Sequence, residues 1–485
     1  MVPHPPMIVP QVGQGSEAQV AATIKAYNQV ADEIAALQPE TIVISSPHAT
    51  MYMDYFHISP GRWAEGSFRN FRAPEVAFRE EYDTELVRTI EELAAEKGFP
   101  AGTMGEREPA LDHGTMVPLY FIRKKYSGFR LVRIGLSGLP LTKHYELGQI
   151  IQAASEKTGR RVVYVASGDL SHKLQDYGPY GFAPEGPAYD ARIMDVCSRA
   201  AFGELFDFDE NFCEKAAECG HRSFVIMAGA LDGIEVRATQ LVHEDVTGVG
   251  YGICTFYPMA DSAGHPDERS ADRLFERSAD RQFLRKYLEQ VQDQLLQKKA
   301  QEDPYVALAR RSLETYLTEG HRLKLPAAST GDAAKAGDTA NSGIPEEMLQ
   351  TRAGAFVSIH EHGQLRGCIG TILPVTGCVA EEIIRNAVSA ATEDPRFMPI
   401  EADELPWLEI SVDVLGEPEH IDSPDQLDVK RYGVIVTKDG RRGLLLPDLE
   451  GVDTVARQIS IAKQKAGIGP GEDVELQRFE VIRHH

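Results

Sequence analysis

The chain has 485 residues, 42% of them hydrophobic, which is material for two or three ordinary cores. A formal net charge of −23 argues against a nucleic-acid partner, because a phosphate backbone needs a basic surface that releases its counterions. Apolar runs fall short of the roughly 18–20 residues that span a bilayer, and six scattered cysteines without a CxxC pair read as reduced thiols, so a cytoplasmic location with no membrane partner is expected.

The opening Met1-Val2-Pro3-His4-Pro5-Pro6 lacks the basic region and long apolar core of a signal peptide. A strand leading into His4 would be very short, so a start further upstream is an open alternative. Residues 17–36 carry an apolar stripe at helical spacing, with Ala21, Ile24, Tyr27, Ala31, Ile34 and Ala35. The β-branched run 41–45 reads as a buried strand ending at Ser46-Pro47-His48. Residues 84–97 are helical and stop at Gly98. A strand at 130–135, a helix at 145–158 and a strand at 161–166 follow, the last ending in Ser167-Gly168-Asp169-Leu170-Ser171-His172. Helices at 189–201 and 210–218, an apolar stretch at 224–230 and a strand at 249–257 complete the first half. Alternating strands and helices predict an α/β domain with a mainly parallel sheet covered by helices, over residues 1–260.

Residues 261–302 read as a charged helical linker, its helix running from about 272 to 299. Residues 305–316 are an amphipathic helix. Residues 326–343 are small, polar and glycine-rich, the composition of a mobile loop. Strands at 355–360, 365–372, 408–415, 432–437 and 442–446, with helices at 382–392 and 454–466, predict an α+β domain over 303–485 with a largely antiparallel sheet.

Eight of the fifteen histidines precede residue 261. His4, His48 and His172 sit where strands give way to loops, which is where open α/β sheets bind ligands. Imidazoles joined by a carboxylate hold non-haem Fe(II) with positions left open. His4 and His48 are read as ligands, against capping or surface roles. His172 is read as an acid–base or a ligand, since a neutral imidazole can take a proton from a phenol and return it. His113, in Leu111-Asp112-His113-Gly114, is either a substrate-orienting group or a turn residue bonded to Asp112. His57, His144, His221 and His243 read as surface or core-edge residues. Among the carboxylates, Glu218 adjoins Cys219-Gly220-His221, and Cys219 is itself a candidate soft ligand. In the second half, Arg366 beside Cys368 would favour a thiolate, against a tight strand in which glycines permit close packing. Asp394 and Arg396 read as the staple of a turn.

Together PHPP with His4, SSPHA with His48, LDHGTMVPL with His113, SGDLSH with His172 and ECGHRSFVIMAGALDG from Glu218 resemble the class III extradiol dioxygenase B-subunit (LigB-like) family, in the branch that includes the Memo proteins. GAFVSIH, LRGCIG, AVSAATEDPRFMPI, LEISVDVL and KAGIGPGEDVELQRFEV are similar to an AMMECR1 domain. The pair in one chain is similar to AmmeMemoRadiSam system proteins, which are associated with a separately encoded radical-SAM partner. The resemblance implies an Fe(II) site of two histidines and a glutamate, carried here by His4, His48 and Glu218. Cys219 is the rival third ligand, because Memo-type proteins place a cysteine in that segment. It further implies His172 as acid–base and His113 in the substrate pocket. Another divalent ion such as Zn is the alternative metal.

Three functions are therefore expected in competition. The first is an Fe(II)-dependent extradiol-type dioxygenase taking O2 and a catechol or other small aromatic substrate. The second is a metal-binding or redox component that works with a radical-SAM protein. The third is a non-catalytic scaffold. A homodimer is expected on base rate alone.

Overall fold

A computed structural model of the protein describes residues 1–259, 278–325, 343–361, 363–449 and 451–485. They form two compact units, Met1–Leu288 and Glu289–His485. The division falls within the helix Phe283–Ala300, inside the segment expected to be a linker. The first part of that expected helix, 272–277, lies outside the described residues, as does nearly all of the expected polar loop.

The first unit is built on a three-stranded parallel sheet. Thr41–Ser46 is its central strand, flanked by Arg130–Gly135 and Val162–Ala166. All six residues of Thr41–Ser46 are buried, as expected of a parallel strand covered on both faces. Val43, Val132 and Ile134 pack under the helices Thr84–Glu96 and Leu141–Thr158. Ile42, Ile44 and Leu131 pack on the other face against Ala21–Leu37 and His113–Arg123. Ahead of His4, Val2 joins this layer: its amide donates to Ala166 O, and its carbonyl accepts from the Gly168 amide.

Two features depart from the sequence reading. The strand Tyr251–Pro258 pairs antiparallel with Val236–Glu244, and Trp63–Phe68 forms a second antiparallel pair with Ala73–Glu81. Neither Val236–Glu244 nor the second pair had been expected, because their burial alternates irregularly along the chain. His113 is the first residue of the helix His113–Arg123 rather than a turn residue, and Asp112 caps that helix through the Thr115 amide.

The second unit is α+β. Its antiparallel sheet runs in the order Gln364–Gly370, Ala355–Glu361, Leu408–Leu415, Glu475–His484, Tyr432–Lys438, Arg441–Leu445. The central strand Glu475–His484 had not been read as a strand. The helices Val379–Thr392 and Pro304–Glu319 cover one face through Ala355, Val357, Ile359, Ile410 and Val412. The Asp439-Gly440 turn takes positive φ at both residues, as a two-residue hairpin requires. No helix among the described residues is long and apolar enough to cross a membrane, and all six cysteines are free.

Candidate metal centre

Two loops at the carboxyl ends of the parallel strands meet the chain start. His4 follows the short Val2 bridge to Ser167. His48 lies just past Thr41–Ser46, and Ser167-Gly168-Asp169 just past Val162–Ala166. The segment 218–220 arrives beside Gly168 because both segments have glycine there. A Cβ on Gly168 would collide with the Gly220 backbone. Gly114 likewise lets the helix start of His113 lie against Ser46.

His4 is buried, while His48 has an exposed edge and His113 is half-buried. His4 Nε2 lies 3.0 Å from His48 Nε2, and the His48 and His113 rings are 4.0 Å apart. On its other side His4 Nε2 is 3.7 Å from Cys219 Sγ. Ligating atoms of His4, His48 and His113 lie within 4.8 Å of one another, and so do those of His4, Asp169 and Cys219. These two groups, which share His4, could each hold a metal ion.

The tautomer of His4 follows from its partners. Ser167 Oγ donates to Gly114 O at 2.6 Å, so toward His4 Nδ1, 3.0 Å away, it can only accept. His4 Nδ1 therefore carries the proton, and Nε2 turns a bare lone pair toward His48 and Cys219. Burial, reinforced by neighbouring His48, holds His4 down to about 3. Burial with His48 and His4 holds His113 down to about 3, and burial lowers His48 against the opposing pull of Asp112. All three rings are neutral near pH 7, the state in which imidazole binds metal.

Supporting groups fix these rings. The His4 amide donates to Asp169 Oδ1 at 2.7 Å. The His48 amide donates to Ser46 Oγ, which donates in turn to Asp112 Oδ1 at 2.6 Å. The Asp169 amide donates to Cys219 Sγ at 3.3 Å, and burial pushes that thiol well up. Sequence reading passed over Asp169, Ser167 and Ser46 as site residues, although all three stand inside quoted motifs. Their signal was proximity to a strand end, which does not tell a holding residue from a bystander.

His172 belongs to neither ligand group. Its Nε2 is 3.9 Å from Asp169 Oδ2, its ring stacks on Tyr180 at 5.0 Å, and burial lowers it below its ordinary value. Phe71 packs edge-on against His113 at 5.3 Å. Glu218 is turned elsewhere. Its carboxylate takes the His221 amide at 2.6 Å, at the start of the helix His221–Ala230, and burial pushes it up to about 7. It lines a separate pocket of about 140 Å³ with Leu141, Phe208, Cys213, His221 and Arg222. His57, His144 and His221 are buried and hydrogen-bonded to backbone carbonyls, and His243 pairs with Asp190 at 2.8 Å.

In the second unit Arg366 does not serve Cys368. Its guanidinium grips Glu404 at 2.7 and 3.0 Å and the Met398 carbonyl at 2.6 Å. Cys368 Sγ accepts from Ser358 Oγ at 3.2 Å, and burial pushes the thiol up. Its amide donates to Asp394, which Arg396 holds down to about 2. Gly367 lies against Ala390 with no room for a Cβ.

Comparison with known proteins agrees with this architecture. Residues 1–254 match the family model described as the catalytic LigB subunit of aromatic ring-opening dioxygenase, and residues 306–484 match AMMECR1. A protein of Clostridium acetobutylicum is 39% identical over 494 aligned residues, covering 100% of this chain and 98% of its own. A Thermotoga maritima protein is 48% identical over 185 residues, 38% of this chain and 98% of its own. Among solved structures, an uncharacterized protein from Pyrococcus horikoshii is 31% identical over 37% of this chain and 88% of its own, with a TM-score of 0.32. The chain thus belongs to the LigB family of ring-opening dioxygenase subunits, as a Memo-like domain fused to a C-terminal AMMECR1 domain.

Proposed function

We propose that the first unit is an Fe(II)-dependent, dioxygenase-like centre acting on a small aromatic substrate, with Zn(II) as the alternative ion. The observation that carries it is the convergence of neutral His4, His48 and His113, with the lone pair of His4 Nε2 turned inward. That donor set fits a borderline divalent ion. His4, His48 and His113 would hold it, which replaces the expected Glu218 by His113. An ion held there would supply Lewis acidity toward substrate oxygens. The chain's own groups supply the rest. The exposed edge of His48 leaves the site open to solvent. Phe71 lies edge-on beside His113 and Tyr180 stacks on His172, aromatic surroundings that suit a planar substrate. His172, neutral at pH 7, would take a phenolic proton at a ring nitrogen and return it, with Asp169 steadying the charged form. The test is anaerobic Fe(II) loading followed by oxygen uptake over a catechol panel. Iron at one equivalent with no uptake on any member rejects it.

A second reading rests on Cys219, whose sulfur approaches His4 Nε2. A centre using the His4, Asp169 and Cys219 group would be a softer metal-binding or redox component, working with a radical-SAM partner. Co-purification with such a protein, lost in Cys219→Ser, supports it; a Cys219→Ser protein that keeps its metal and its partners removes it.

A further inference from the structure

Resting on the three-histidine reading above, we propose that Arg133 is the positioning residue of the metal centre, and decides whether His113 belongs to the ligand set. Arg133 lies on the edge strand Arg130–Gly135, where Leu131 and the strand's other residues are apolar or glycine apart from Arg130, and it is 1% exposed. Taking a guanidinium out of water costs several kcal/mol unless its donors are satisfied, and an apolar side chain would fill a core position without that cost. All but one of its partners belong to a single segment, residues 106–112. Nη1 donates to Ala110 O at 2.6 Å and Nη2 to Glu108 O at 2.9 Å. Glu106 Oε2 and Asp112 Oδ2, at the two ends of that segment, lie 3.6 and 3.8 Å away. Only Nε turns elsewhere, to Ser59 Oγ at 2.7 Å.

The segment needs such an anchor. It has no helix or strand between Gly102 and His113, and residues 107–110 are exposed. Its end is what matters for the site. Asp112 caps the helix on which His113 is the first residue. Asp112 also accepts from Ser46 Oγ, which accepts the His48 amide. One guanidinium thus reaches His113 directly along the chain and His48 through Ser46. The Asp112 carboxylate also acts electrostatically on His4, His48 and His113 alike.

Without Arg133 the segment keeps the Leu111 amide on Glu65 O, Glu106 beside Thr50 and His57, and Asp112 on Ser46; its middle at Glu108 and Ala110 is released, so the hold on Asp112 loosens and the His113 ring can shift from His48. The ion then falls to His4 with the neighbouring Cys219 and Asp169. Arg133→Met, Arg133→Lys and the wild-type full chain are titrated with Co(II) under reducing, anaerobic conditions, following affinity and the absorption spectrum. The wild type is expected to bind one Co(II) with nitrogen-type bands. Arg133→Met should bind roughly 10–100-fold more weakly and gain the near-ultraviolet band of a thiolate on Co(II). Arg133→Lys keeps the buried charge but lacks the fork that spans Glu106 and Asp112. It should lose thermal stability, because Ala110 O, Glu108 O and Ser59 Oγ lose partners, yet stay folded at 25 °C and show the same thiolate band and loss of affinity, a spectral change that a purely structural role would not produce. Should Arg133→Met not fold, Glu106→Gln and Asp112→Asn weaken the same anchor at its two charged ends, and Asn still caps the helix. An affinity within twofold of wild type together with an unchanged spectrum in Arg133→Lys and Asp112→Asn overturns the assignment. A wild type that takes up no Co(II) removes the proposed centre itself, and is told apart from that result without any variant.

Discussion

Gly168→Ala tests the close approach that assembles the centre. The added Cβ would lie 3.0 Å from Gly220 N and 3.2 Å from Gly220 C, and closer still to Gly220 Cα. Backbone blocks it on that side, so no side chain can swing away. The two segments must part by about 1.4 Å to reach ordinary van der Waals separation. Overpacking of that kind costs about 1–3 kcal/mol. At about 2–4 °C per kcal/mol for a domain of this size, the thermal midpoint of the first unit should fall by about 2–12 °C. The strain is also local to function: the next residue, Asp169, holds the His4 amide through Oδ1 and donates its own amide to Cys219 Sγ. Metal affinity should therefore fall with stability, by roughly tenfold or more. Differential scanning fluorimetry and Co(II) titration read the two effects. Gly471→Ala, where a Cβ meets open space, is the control and should stay within about 0.5 kcal/mol of wild type. A Gly168→Ala protein whose midpoint and Co(II) affinity match those of the control would refute the claim that the two loops touch.

Acid should destabilise the first unit through His144 and His221, which burial holds down to about 3 and about 4. The folded protein keeps both rings neutral while the unfolded chain takes up protons below about 6.5, so stability is complete above that pH and falls below it by about 1.4 kcal/mol per unit for each ring. Urea unfolding at pH 7 and pH 5 should show the loss, with a smaller slope in His144→Gln; equal stability at the two pH values contradicts it. In the second unit, Glu302→Ala strips the counter-charge from Arg310, whose side chain is 7% exposed and paired at 2.7 Å. The cost should be about 3–5 kcal/mol in chemical denaturation, and a loss under about 1 kcal/mol would show the pair to be dispensable. Cys368 should react with a thiol reagent at pH 7.5 more slowly than free cysteine, because its thiol is pushed up and Arg366 is committed to Glu404. Labelling as fast as free cysteine would restore the reactive-thiol reading.

Much of the architecture was legible in the sequence because it rests on local physics. A β-branched run such as Ile42-Val43-Ile44, bounded by turn signals, reads as a strand buried on both faces, the pattern of a covered parallel sheet. His48 and the Ser167-to-His172 motif follow such runs directly, so their place at the carboxyl edge of the sheet could be read without coordinates. The strand pair Trp63–Phe68 with Ala73–Glu81 was missed, because its mixed burial has no clean period of two.

Which side chains gather around His4 was decided only by tertiary structure. His4 meets Ser167 and Cys219 across 163 and 215 residues of chain, a separation over which no local pattern reports direction. Glu218 and Cys219 are adjacent in sequence, yet the helix start at His221 captures the carboxylate while the thiol turns toward His4. A free amide at a helix N-terminus is a strong local hydrogen-bond donor that favours negative charge, and it draws the glutamate away from the cluster. His113 moved the other way: Asp112, tied to Ser46 and Arg133, sets the start of its helix beside His48. The sequence by itself determined the LigB-like and AMMECR1 halves, the parallel strands and the histidine-bearing loops; which of His113, Glu218 and Cys219 lies beside His4 waited on how buried backbone groups far apart in the chain satisfied one another.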